Sequence, residues 1–290
     1  MLLRIIEILL PIFAIVAAGF AYGRWHQPEM AVANRLNIDV FVPALVFATL
    51  ASKSFALTEY GALALGGLIV VILPGLLAWP LARWMGVAPK TLVPPMMFNN
   101  SGNMGLPLFL LAWGPTAMPA AIILFLVENT LHFSLGARML DPKARLLTLW
   151  RIPVIAASAA GLAVSLAGVT VWQPLLTGIK LLGDISIPLL LFALGVRMKD
   201  VSLHDWKLTL TGAAFRPLAG MFAAYAAIWL LGLSGRDAAM LLVFGALPPA
   251  VLNFLFAERY HQEPERVAPM VLVGNLAALI FMPLALALAL

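Results

Sequence analysis

The sequence predicts an all-α polytopic membrane protein of ten transmembrane helices, built as a 5+5 inverted repeat in which helices four and nine are broken. Three observations predict this. Hydrophobic residues make up 63% of the 290-residue chain and charged residues 11%, with a mean hydropathy of +1.00, whereas a soluble domain is about half apolar and a quarter charged. Apolar segments of spanning length follow one another with short connections. Two of them, one per half, carry the same helix-breaking text: Pro94-Pro95-Met96-Met97-Phe98-Asn99 and Pro248-Pro249-Ala250-Val251-Leu252-Asn253.

A span needs about 20 mostly apolar residues. That places helices near 5–23, 36–52, 58–83, 91–112, 116–138, 149–170, 175–197, 206–231, 237–257 and 267–289. Met1-Leu2-Leu3-Arg4 leads directly into the first segment, and no small-residue cleavage site follows, so a span is expected and not a signal peptide. Connections such as Trp113-Gly114-Pro115 and Asp141-Pro142-Lys143 are short. Residues 1–140 form the first predicted repeat and residues 149–290 the second. Cysteine is absent, which excludes disulfides and thiolate metal sites.

Orientation follows from Lys and Arg in alternate connections. One set holds Arg24, Arg35, Arg83, Lys90, Arg138, Lys143, Arg145, Arg151, Arg197, Lys199, Lys207, Arg259 and Arg266; the other holds only Arg4, Lys53 and Arg236. The first set is expected in the cytoplasm, with both termini outside. The formal charge of +5 is thus assigned to loops at a membrane surface and not to nucleic-acid binding. Trp25, Trp84, Trp150 and Trp206 fall near span ends and read as interfacial anchors.

The repeat extends beyond the prolines. Arg35-Leu36-Asn37-Ile38-Asp39 with Pro43, Leu45, Phe47 and Ala48 aligns with Lys180-Leu181-Leu182-Gly183-Asp184 with Pro188, Leu190, Phe192 and Ala193, at an offset of 145. Five spans per half is an odd number, so the second half enters the membrane from the opposite side, and broken helices in matching positions of two such halves point to a carrier with its site at the breaks.

Span four reads Asn99-Asn100-Ser101-Gly102-Asn103-Met104-Gly105 after its prolines. Backbone freed by Pro and Gly at membrane depth must be satisfied by protein or water, so this segment is expected to line a cavity. Half-helix N-termini there would offer N–H groups to an anion, and asparagine amides can both donate and accept. The competing reading is a kinked helix whose asparagines satisfy one another across an interface.

Asn99-Asn100-Ser101-Gly102-Asn103-Met104-Gly105-Leu106-Pro107-Leu108 resembles the signature of the auxin efflux carrier family of membrane transporters. Ala246-Leu247-Pro248-Pro249 with Phe254, Phe256-Ala257 and Tyr260 resembles that family's ninth span, and Pro43-Ala44-Leu45 and Ser186-Ile187-Pro188-Leu189 its second and seventh. The resemblance implies that spans four and nine cross near mid-membrane, in an architecture similar to the bile-acid/sodium symporters. It implies a scaffold of helices 1, 2, 6 and 7, and a transport domain of helices 3–5 and 8–10 moving as an elevator. A small organic anion is the implied substrate, with homodimerisation as a family expectation. Two departures stand out: the connection between spans five and six is about ten residues, and Asn253 stands where plant members usually have proline. By position, Asn100 and the stretch from Pro249 to Asn253 would contact substrate.

Ionisable residues at membrane depth are functional candidates. Glu128 lies beside Asn129 and four residues before His132, so Glu128 and His132 share a helix face; the pair would carry a proton or hold a cation, or would simply face a neighbouring helix. Arg216 would attract an anion or pair with Glu128. Asp184 follows Lys180 by four residues, as Asp39 follows Arg35, which reads as an interfacial basic–acid pair. His26, His204 and His261 fall in predicted loops without metal-ligand spacing.

The expectation is a secondary carrier of a small mono- or dicarboxylate in a bacterial inner membrane. Its substrate would be surrounded by Pro95, Asn99, Asn100, Ser101, Asn103, Pro249 and Asn253, with Glu128 coupling H+ or Na+. No other cofactor is expected. The same architecture could serve a cation antiporter or a bile-acid-like symporter, but an antiporter needs acids at the crossing, where this chain has asparagines. No Gly-x-x-x-x-Gly-Lys-Ser/Thr loop, Ser/His/Asp cluster or His-x-x-x-His spacing speaks for ATP use or for an enzyme.

Overall fold

The structure is a computed structural model and describes residues 2–51, 57–143, 151–198 and 205–290. Lys53, Arg145, Trp150, Lys199 and His204 lie outside those residues. The described residues are helical apart from connections and one isolated pair of extended residues. In a medium without water, a helix satisfies each backbone group within its own segment. Seven helices are long and apolar enough to cross a membrane: α1 (Leu2–His26), α2 (Ala31–Leu50), α3 (Gly61–Trp84), α6 (Pro115–Leu140), α8 (Gln173–Arg197), α9 (Trp206–Leu231) and α12 (Pro264–Ala289).

The other three predicted spans differ from their expected form. Span four is two short helices, α4 (Pro89–Met97) and α5 (Leu106–Trp113), joined through a wide π turn at Ser101–Gly105. Span nine is likewise α10 (Gly235–Ala246) and α11 (Leu252–Arg259). The sixth, expected over 149–170, is α7 (Pro153–Leu166), only 14 residues. Ile152 is extended before Pro153, and Gly168 turns the chain at φ +64 soon after the helix ends. Such a helix is about 21 Å long, short of the roughly 30 Å hydrocarbon layer.

The apolar surface is divided by helical spacing. In α1, Ile5, Ile8, Leu9, Ile12, Val16, Gly19 and Gly23 are buried, while Leu2, Leu3, Ile6, Leu10 and Phe20 are exposed. The buried stripe packs against the second half of α8 at glycine contacts. A Cβ on Gly19 would stand 2.2 Å from the Phe192 carbonyl oxygen. In parallel fashion α7 packs on α2, where a Cβ on Gly161 would stand 3.3 Å from the Phe47 carbonyl oxygen. Phe47 and Phe192 are the pair that the 145-residue offset equates. Next to these, α3 packs on α4 and α9 on α10.

The paired-proline text is not a structural equivalence. Asn99 and Pro249 form an antiparallel bridge, in which Asn100 N–H donates to Pro248 O (2.7 Å) and Ala250 N–H donates to Phe98 O (2.9 Å). These two bonds exchange 98 with 248, 99 with 249 and 100 with 250, an offset of 150 where the aligned text has 154. Pro94 and Pro95 therefore lie within α4, where the helix tolerates them because it begins only at Pro89 and the carbonyls they leave unbonded belong to its first turn. Pro248 and Pro249 lie in the break itself.

Candidate functional site: a cavity at the crossing of two broken helices

Each break exposes backbone that the helix no longer satisfies, and side-chain amides from other segments fill the vacancies. At the end of α10, Phe244 O accepts from Asn99 Nδ2 (2.8 Å) and Gly245 O from Arg216 Nη1 (3.2 Å). At the end of α4, Phe98 O accepts from Asn253 Nδ2 (3.0 Å) as well as from Ala250 N–H. Pro249 O accepts from Asn275 Nδ2 (3.0 Å), whose Oδ1 takes the amide of Asn100 (2.7 Å). All five side chains are at most 3% exposed. Because carbonyls only accept, the orientation of the Asn99, Asn253 and Asn275 amides is fixed. An unsatisfied carbonyl in hydrocarbon would cost several kcal/mol, so these amides hold the two breaks together.

The amide donors of Asn99, Asn100 and Asn253 are thus spent on the crossing, and the sequence expectation that they surround a substrate is narrowed. Asn99 and Asn100 line a cavity of about 150 Å³ together with Asn103, but Pro95, Ser101, Pro249 and Asn253 do not. Asn103 is the member of the set whose amide makes no hydrogen bond among the described residues. Beside it, the N–H groups of Ser101, Gly102 and Asn103 precede the first bonds of the turn, which Met104 N–H (3.1 Å) and, in π register, Gly105 N–H (3.0 Å) make to Asn100 O. This is the free N–H cluster expected at a helix start. Gly102 lines the cavity here without a side chain.

The remaining walls come from α2 (Asn34, Asn37), α6 (Phe125, Glu128, Asn129, His132), α8 (Leu190, Leu194, Arg197) and the start of α11 (Val251, Leu252). α2 contributes from its first half, α8 from its last turns and α7 from its beginning, the ends that carry Arg35, Arg197 and Arg151. The cavity therefore lies on the Lys/Arg-rich side of the crossing. Wide π turns at 37–41, 101–105 and 132–136 all border it; an extra residue per turn re-aims side chains, a device common at functional sites.

Glu128 and His132 face this cavity as expected from their spacing. Glu128 Oε2 accepts from Ser101 Oγ (2.9 Å) and Asn129 Nδ2 (3.0 Å), and Oε1 lies 3.1 Å from His132 Nδ1. The imidazole stacks on Phe98 at 4.1 Å and meets Phe256 edge-on at 5.0 Å. Both members are about 98% buried. One arm of the crossing, Phe98 to Ser101, therefore touches both halves of a titratable pair. Arg216 is fully buried and bonds Gly245 O rather than Glu128; its Nε and Nη2 have no hydrogen-bond partner among the described residues. Asp184 is exposed midway along α8 and does not line the cavity; among the described residues Arg35–Asp39 forms an exposed ion pair (3.5 Å), whereas the expected Lys180–Asp184 counterpart does not form.

Two residues of the site were not singled out from sequence. Asn275 is a lone amide in the middle of the last apolar run, and the reasoning that marked Asn253 would have marked it too. Arg197 was counted only as a loop charge; nothing local reveals that the end of α8 reaches the cavity.

The described residues thus combine apolar helices of spanning length with two broken segments that meet beside a cavity. Residues 143–286 match the family model of the membrane transport proteins. The chain belongs to that family. The match covers the second half, including α9 to α11, and the Asn99–Leu108 motif lies outside it. No curated protein matches the chain. Membership in the membrane transport protein family makes this a multi-pass membrane transporter.

Proposed function

We propose that this membrane transport protein is a secondary carrier of a small organic anion that works by alternating access, with the site in the cavity beside the crossing. The observation that carries the reading is the cluster of N–H groups at Ser101–Asn103 with the uncommitted Asn103 amide, set in a cavity on the Lys/Arg-rich side of the crossing. N–H groups at a helix start favour negative charge. A cavity bounded on the far side by the crossing is what one half of an alternating-access cycle requires.

The mirrored packing of α1 on α8 and α7 on α2, and the local two-fold at Asn99 and Pro249, support a ten-span 5+5 inverted repeat. In that arrangement the first repeat is 1–140 and the second 149–290. α1, α2, α7 and α8 form a scaffold against which the crossing moves as an elevator. The cavity then faces the cytoplasm of a bacterial inner membrane, and both termini face outward. Glu128 with His132 couples a proton to the movement, because Ser101 and Phe98 of the crossing read the state of that pair.

Binding of acetate, malonate and succinate to the purified protein, across pH and with or without sodium, tests this. The expected result is saturable binding of at least one carboxylate that varies with pH and not with sodium. Binding of sodium or lithium without any carboxylate would overturn the reading.

A further inference from the structure

We infer that Arg197, on the cavity wall at the last turn of α8, is the residue that selects for anionic substrate. The inference rests on the anion-carrier reading and supplies a positive charge on the cavity itself, which the Arg216 guanidinium at the crossing does not line. The charged or ionisable side chains on the cavity are Glu128, His132 and Arg197. Glu128 is committed to Ser101, Asn129 and His132, and the buried Arg216 is held on Gly245 O behind the crossing. Arg197 makes no hydrogen bond or ion pair among the described residues. It is half-buried at the last turn of α8 and lines the same cavity as Gly102 and Asn103.

The carboxylate whose charge reaches Arg197 is Glu258, exposed on α11. Glu258 forms no ion pair with the guanidinium among the described residues and acts on it only by longer-range attraction, whereas a substrate carboxylate in the cavity would add hydrogen bonds at short range. A guanidinium presents a planar fork matched to a carboxylate, which an ammonium does not. Because Arg197 lies outside the crossing, its contact exists only while the crossing faces the basic side. Arg197 therefore sets affinity at that face and leaves the opposite face unaffected.

The test is malonate binding to wild type, Arg197→Gln, Arg197→Lys and Glu258→Gln, with malonamide as the uncharged probe and thermal stability as a folding control. Arg197 is half-buried at the cavity wall, so its replacement should leave the fold intact. Loss of a charged hydrogen bond predicts about tenfold or more weaker malonate binding in Arg197→Gln. Arg197→Lys is expected to fall between, Glu258→Gln to bind tighter than wild type, and malonamide to show no dependence on residue 197. If wild type binds malonate and Arg197→Gln binds it equally well, the assignment of Arg197 is overturned while the carrier reading stands. If wild type binds malonate and malonamide alike, charge selection at this site is refuted. If wild type binds acetate or succinate and not malonate, the comparison is made with that anion and its amide on the same terms. If no carboxylate binds, both readings fall together.

Discussion

Replacing Asn275 by Leu should loosen the crossing while leaving the sequence of both breaks unchanged. Asn275 is 1% exposed near the middle of α12 and makes two bonds to other segments: it donates to Pro249 O at 3.0 Å and accepts from Asn100 Nδ2 at 2.7 Å. Its third bond, to Val271 O, is to a carbonyl the helix already satisfies. Leucine has nearly the same volume, so the change removes hydrogen bonds and creates little void. Leaving one buried donor and one buried acceptor unsatisfied costs about 1–3 kcal/mol each by soluble-protein experience. Inter-helix bonds measured in membranes average roughly 0.6 kcal/mol, with a maximum near 1.7. Pro249 O sits in a break with no helical partner to fall back on, so a total of about 2–3 kcal/mol is expected. The assay is reversible unfolding of purified protein in mixed micelles, combined with a double-mutant cycle of Asn100→Ala and Asn275→Ala. A coupling of about 1 kcal/mol is expected, since the two amides touch. Additive losses, with no coupling, would refute the role given to the Asn100–Asn275 bond in holding the breaks.

Gly220→Ala places a Cβ 2.0 Å from Gly245 O and 2.2 Å from Arg216 Nη1, and overpacking at a backbone atom costs about 1–3 kcal/mol or more; thermal unfolding and loss of transport measure it. Glu128→Gln keeps an acceptor for Ser101 but removes the ionisable carboxyl beside His132, so proteoliposome uptake should lose its pH dependence and retain some rate; an unchanged pH profile would remove Glu128 from coupling. On the basic side, Glu263 is hydrogen-bonded to Thr91 of α4 and to Arg266 (3.1 Å), which also bonds Asp205 (2.8 Å) at the start of α9. The Thr91 hydroxyl first, and then Arg266, hold the Glu263 carboxyl below its ordinary value of 4.5. A lowered folded pKa contributes stability that is present above the unfolded value and lost as pH falls through the folded one. Melting temperature should therefore fall on acidification below about pH 4.5, and part of that fall should vanish in Glu263→Gln.

The crossing illustrates how a correct inference can rest on a wrong alignment. The Pro-Pro-x-x-x-Asn text marks two breaks because proline removes donors wherever it stands, and both spans are indeed interrupted near it. The register of the match was nonetheless off by four, because one proline pair lies in the first turns of α4 and the other in the break. Short helical text tolerates such shifts; the pairing of Asn99 with Pro249 does not, since it is set by two backbone hydrogen bonds.

By itself the sequence determined that the chain is helical and membrane-embedded, where its breaks lie, and that Glu128 and His132 share a face. Those properties depend on apolar run length, on missing N–H groups and on helical spacing, all local. Only the tertiary structure decided which amides serve the backbone and which are left for a ligand. It alone brought Asn275 to Asn100 across 175 positions, and the end of α8 to the cavity. A buried amide is defined by its nearest carbonyl, and at the crossing that carbonyl belongs to a distant part of the chain.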